Sequence, residues 1–152
     1  MPSGKTHIAV ELLLWPGFMA GYYYFSQPAW GELALLGGAY LFASLLLSPD
    51  LDLRHNSTRR RWGPLGFIWV PYFKIFKHRG MSHSLMFGSL TRLIYLGMVF
   101  GLVLVGLSSL GFALPQDAPA WLNERLLILL GVGLYLPNVL HVLLDRVVSV
   151  FS

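Results

Sequence analysis

Seven residues with side chains suited to holding metal ions fall at four places in an otherwise apolar chain: His7, Asp50 with Asp52, His78 with His83, and His141 with Asp145. Of all the His and Asp residues, only His55 and Asp117 lie elsewhere. His141 and Asp145 stand four residues apart in LPNVLHVLLDRVV, so a helix puts them on one face. An ionisable group in an apolar span is costly and marks a functional site by default. The plainer account is a His–Asp hydrogen bond that ties two helices together. Asp50 and Asp52, in SPDLDL, would point about 200° apart on a continuous helix. They converge only if the helix ends at Pro49 and a turn carries both. Two carboxylates that close repel unless a cation neutralises them, and the rival reading is a solvated, Asp-rich helix exit. His78 and His83, in KHRGMSHSL, would diverge by about 140° on one helix, so Gly80 has to break it. With no cysteine in the chain, thiolate sites and cysteine nucleophiles are excluded. Four histidines and three aspartates form a donor set suited to zinc, manganese or iron.

The elements that must position these groups are apolar. Hydrophobic residues make up 55% of the 152 and charged ones 12%, with a mean hydropathy of +0.61. A bilayer core of about 30 Å needs roughly 20 apolar residues per helix, and four candidate spans present themselves, at about 8–25, 32–48, 84–114 and 126–144. The expected fold is an all-α integral membrane four-helix bundle, one domain over 1–152, with Gly37-Gly38 allowing close helix packing. Seven of the eleven basic residues (Arg54, Arg59, Arg60, Arg61, Lys74, Lys77 and Arg79) lie between the second and third spans. Basic excess marks the cytoplasmic side, so both termini and the 49–80 segment are expected there, in a bacterial plasma or other internal membrane. That places the metal-type residues together at the cytoplasmic ends of four helices, where bundles build metal sites.

The segment WGPLGFIWVPYFKIFK, residues 62–77, is too short and too charged to span. It reads as an interfacial stretch, with Trp62, Trp69, Phe73 and Phe76 dipping toward acyl chains. TRRR at 58–61, with Arg54, would attract anionic headgroups; an ordinary positive-inside anchor is the alternative. Membrane lipid is therefore the expected partner, with a membrane-protein partner or a second copy left open and nucleic acid disfavoured. Arg79 and Arg92 are candidates for binding a substrate phosphate, although Arg92 could merely snorkel from a span that projects past the bilayer.

An amino-terminal TH, then PDLD, then HRGMSHS, then HVLLD, in that order across four helices, resembles the YdjM-like membrane-bound metal-dependent hydrolases. It resembles more closely a branch described only as metal-binding, which also opens with an MPSG-T-H start. The resemblance runs from Met1 to about Ser149. The wider group is similar in motif to zinc-dependent phospholipases C. By position, the resemblance implies His7, Asp50, Asp52, His78, His83, His141 and Asp145 as ligands. Leu53 departs from the pattern, standing where many relatives have a histidine, and so does Ser82, where many have threonine. Two divalent ions could clamp a phosphate and activate a water, with Asp50 or Asp52 taking its proton. The expected function is metal-dependent phosphoester hydrolysis of lipid or lipid-linked headgroups; the alternative is a non-catalytic metal-binding subunit or assembly factor.

Overall fold

The apolar runs of this chain form helices in the computed structural model, which describes residues 4–52, 57–75, 87–114, 117, 119 and 122–150. In chain order these are α1 (Gly4–Ser26), α2 (Trp30–Leu46), a 3-10 turn (Pro49–Asp52), α3 (Ser57–Arg61), a 3-10 segment (Gly63–Trp69), α4 (Val70–Ile75), α5 (Phe87–Ser109) and α6 (Glu124–Val150). Every regular element among the described residues is helical, so the fold is all-α.

The four long helices lie on the four apolar runs, with boundaries moved by several residues. α1 begins at Gly4 rather than residue 8, which brings His7 inside the helix. α2 stops at Leu46, and Pro49–Asp52 forms a separate 3-10 turn. This is the helix end that Pro49 implies. α6 runs on through Asp145 to Val150, so His141 and Asp145 share an unbroken helical face. Among the described residues two helices, α5 and α6, are long and apolar enough to cross a membrane; α2 is apolar but only 17 residues long.

α2 is the packing axis. α6 crosses it at Gly133, where an added Cβ would lie 2.7 Å from the Ala39 Cβ and 2.8 Å from the Leu36 carbonyl oxygen. Only glycine allows that approach. On another side of α2, Gly37 lies against Trp15 and Met19 of α1, while Gly38 has nothing within reach of a Cβ. At one end of the molecule Arg125 of α6 forms a two-pronged pair with Glu32 of α2, at 2.6 Å and 2.9 Å. Because Arg125 is largely exposed, that pair contributes little to stability.

The opposite end is closed by an aromatic core. Trp69, Tyr72 and Tyr95 pack with Ala43, Leu47 and Leu51, the Trp69 ring 5.6 Å from those of both Tyr72 and Tyr95. Tyr95 donates to the Ile68 carbonyl, and the Tyr72 and Thr91 hydroxyls are 3.1 Å apart. Trp69 is fully buried, which corrects the expectation that it dips toward acyl chains. Among the described residues of this segment the exposed large apolar side chains are instead Leu65, Phe67 and Ile75; Phe76 lies outside the described residues. The basic run also serves the fold. Arg61 and the Trp62 indole donate to the Leu45 and Leu46 carbonyls, at 3.0 Å and 2.9 Å, satisfying acceptors that the end of α2 leaves open. Arg59 donates to the Gly66 carbonyl at 2.9 Å and lies over the Phe73 ring.

Candidate metal centre

α1 starts, and α6 finishes, at the end of the molecule where the 3-10 turn lies, so the two helices meet antiparallel. Each brings a histidine and a carboxylate four residues apart, His7 with Glu11 and His141 with Asp145. The antiparallel meeting crosses the pairs. The His7 Nε2 is 3.2 Å from Asp145 Oδ1, and the His141 Nδ1 is 3.4 Å from Glu11 Oε1. Between these two rungs the imidazoles stack, with ring centroids 3.7 Å apart and planes 14° from parallel.

The centre is graded in exposure. His7, Glu11 and His141 are 2%, 2% and 1% exposed, whereas the Asp145 side chain is 12% exposed and Asp50 is half-buried. Asp50 reaches the set from the 3-10 turn. Its Oδ2 lies so close to Gly4 that a Cβ there would be 2.7 Å away. The carboxylate thus sits at the amino end of α1, where the helix dipole favours negative charge. Glu11 is held from α2, with Ser44 Oγ donating to its Oε2 at 2.5 Å and the Tyr40 hydroxyl donating to its backbone carbonyl at 2.8 Å.

Donor atoms of His7, His141 and Asp145 all lie within 4.8 Å of one another. Two ligands of one tetrahedral zinc ion stand about 3.3 Å apart at bond lengths near 2.0–2.1 Å, and the His7–Asp145 spacing matches. The His7 Nδ1 is buried with no hydrogen-bond partner among the described residues, so Asp145 is the contact that orients the ring. Burial, and then the adjacent His141, lower the pKa of His7, which precedes the apolar segment 8–25. A neutral imidazole is the form that binds metal. The residues present fit a divalent ion held by two histidines and a carboxylate.

Of the seven residues expected to hold metal, the structure brings His7, His141 and Asp145 together, with Asp50 at their margin. The Asp52 side chain, His78, Arg79 and His83 lie outside the described residues. Arg92 is 1% exposed and donates from Nη2 to Asn138 Oδ1 at 2.5 Å. It faces the interior of the bundle one helical turn before His141, not a snorkelling path outward. Glu11 escaped the sequence reading, although it carries the signal that singled out Asp145: an acid four residues from a histidine inside an apolar run.

Helices that meet to bury a histidine–carboxylate centre define an all-α protein with a metal-binding type of site. The chain belongs to the family described as "Uncharacterized metal-binding protein (DUF2227)", whose model matches residues 2–152. It is also similar to an uncharacterized protein of Aquifex aeolicus (strain VF5), 39% identical over an alignment of 125 positions that covers 74% of this chain and 89% of that one. No solved structure matches.

Proposed function

We propose that this chain is an integral membrane metal protein that hydrolyses phosphoesters of lipid or lipid-linked headgroups at the cytoplasmic surface. The observation that carries the reading is the donor set itself: two histidines and one carboxylate within 4.8 Å, closed on the histidine side and open on the carboxylate side. Catalytic zinc sites are built from three protein ligands and one open position, whereas structural sites are closed. A divalent ion there supplies Lewis-acid polarisation of the phosphoester and activation of an attacking water. Asp50, at the open margin, would accept the proton from that water, with Asp52 as its neighbour on the same turn. Arg79 and Arg92 would bind the phosphate, Arg92 being linked through Asn138 to the helix that carries His141. His78 and His83 would complete the ligand set and allow a second ion.

The membrane part of the reading rests on exposure. In the most apolar stretch of α5 only 11% of residues are buried, and in that of α6 33%. Leu90, Ile94, Met98, Leu102 and Val105 of α5 all face outward. Water would not tolerate so long an apolar surface, whereas acyl chains would. All four long helices would then form the membrane bundle, with the basic residues holding both termini and the centre on the cytoplasmic side.

Burial of His7 and His141 favours a second reading, a non-catalytic metal-binding subunit. Elemental analysis of detergent-purified protein, paired with headgroup release from phospholipid vesicles, separates the two. Bound zinc, manganese or iron together with release that Asp50→Asn abolishes is the outcome expected of a hydrolase. Bound metal without turnover would leave the subunit reading, and protein that takes up no metal would end both.

A further inference from the structure

The metal reading gives Glu11 no role, yet it is the most deeply buried acid among the described residues. Glu11 is 2% exposed inside an apolar helix, and its carboxylate is divided between two helices. One oxygen accepts from Ser44 of α2 at 2.5 Å, and the other lies 3.4 Å from His141 Nδ1 of α6. Burying a carboxylate is costly unless partners compensate it, so a purely structural role is a poor use of the position. Histidines that bind metal through one ring nitrogen commonly present the other to a carboxylate, which fixes the tautomer, orients the ring and makes it a stronger donor.

We propose that Glu11 is the positioning residue of this centre: fixed by Ser44, it faces His141 Nδ1 and leaves Nε2 as the nitrogen turned to the ion. The two rungs then have different tasks. The outer one, His7 with Asp145, supplies ligands beside the open margin, and the inner one, His141 with Glu11, orients a ligand. The small polar Ser44 brings α2 into the centre, so three helices must be in register before His141 is competent. This inference rests on the reading that the centre binds a metal ion.

The test is the zinc affinity of the detergent-purified full chain, measured by chelator competition for the wild type, Glu11→Gln and Ser44→Ala. Helix content and unfolding of the metal-free proteins are followed in parallel. The electronic spectrum of the cobalt-loaded forms reports on the ligand field directly. Glu11→Gln keeps nearly the same shape but loses the charge, and should weaken zinc binding by about 10- to 100-fold. Ser44→Ala, which frees the carboxylate without removing it, should weaken binding less and shift the cobalt bands in the same direction. If Glu11→Gln does not fold, Ser44→Ala carries the same readouts. Wild-type affinity and an unchanged cobalt spectrum in the folded variants would overturn the role of Glu11 alone. A wild type that binds neither zinc nor cobalt would overturn the metal reading and this inference with it.

Discussion

At the residue scale, a stacked histidine pair between two carboxylates has a consequence that does not depend on turnover. Removing His141 or Asp145 takes one donor from a set of three, and a tetrahedral ion left with two protein ligands is weakly held. Asp145→Asn and His141→Ala should each lower the zinc content of purified protein to a small fraction of that of the wild type. Elemental analysis would show this, and full retention of zinc by both would remove these residues from the ligand set. His7 adds a pH dependence. Burial and His141 hold its pKa below the ordinary 6.5, while Asp145, Asp50 and Glu11 pull the other way. In the metal-free protein the unfolded chain therefore takes up the proton first, and the folded state is penalised as pH falls. The contribution from His7 is intact above 6.5 and lost as pH drops below it. The denaturant midpoint should fall as pH drops below about 6.5, and fall less in His7→Gln; equal slopes in the two proteins would contradict the assignment.

At the element scale, the contact between α2 and α6 has no slack. Gly133→Ala would push a methyl into the Leu36 carbonyl and the Ala39 side chain, neither of which can swing aside as a long side chain can. Overpacking of this kind costs about 1–3 kcal/mol, and unfolding in detergent should show it. Gly38→Ala, with open space around it, should leave stability within about 0.5 kcal/mol of the wild type. The elements themselves were largely legible in the sequence. Long apolar runs become helices whatever surrounds them, and Pro49 is a strong local stop. What could not be read was which aromatic faces inward. Trp62 and Trp69 stand seven residues apart along a 3-10 stretch, where the α-helical period that would put them on one face does not apply, and Trp69 is set by its contacts with Tyr72 and Tyr95. His141 and Asp145 were legible because their spacing and apolar flanks suffice. The pairing of His7 with Asp145 depends on the antiparallel meeting of α1 and α6, a long-range fact that no local pattern contains. Glu11 was legible in principle, since the same i, i+4 rule applied.

At the scale of the whole molecule, charge is distributed unevenly between two ends. Among the described residues, Lys5, Arg59, Arg60, Arg61, Lys74 and Arg146 lie on elements at the end that holds the centre, and Arg125 stands at the other end. If the apolar helices lie in a bilayer, this bias places Ser3 and Ser149 in the cytoplasm and Asp117 outside. The lack of cysteine makes the arrangement directly measurable. Single-cysteine variants Ser3→Cys, Ser149→Cys and Asp117→Cys, expressed in a bacterial inner membrane, would be treated as intact spheroplasts with a membrane-impermeant maleimide. Asp117→Cys should label before lysis, and the other two only after it. The reverse pattern would put the metal-type residues on the outer face and remove the cytoplasmic leaflet as the source of substrate. Labelling of all three in intact spheroplasts would mean that the chain does not cross the membrane as a four-helix unit. The outward apolar faces of α5 and α6 would then have to be covered by another protein surface, because water cannot cover them at this length.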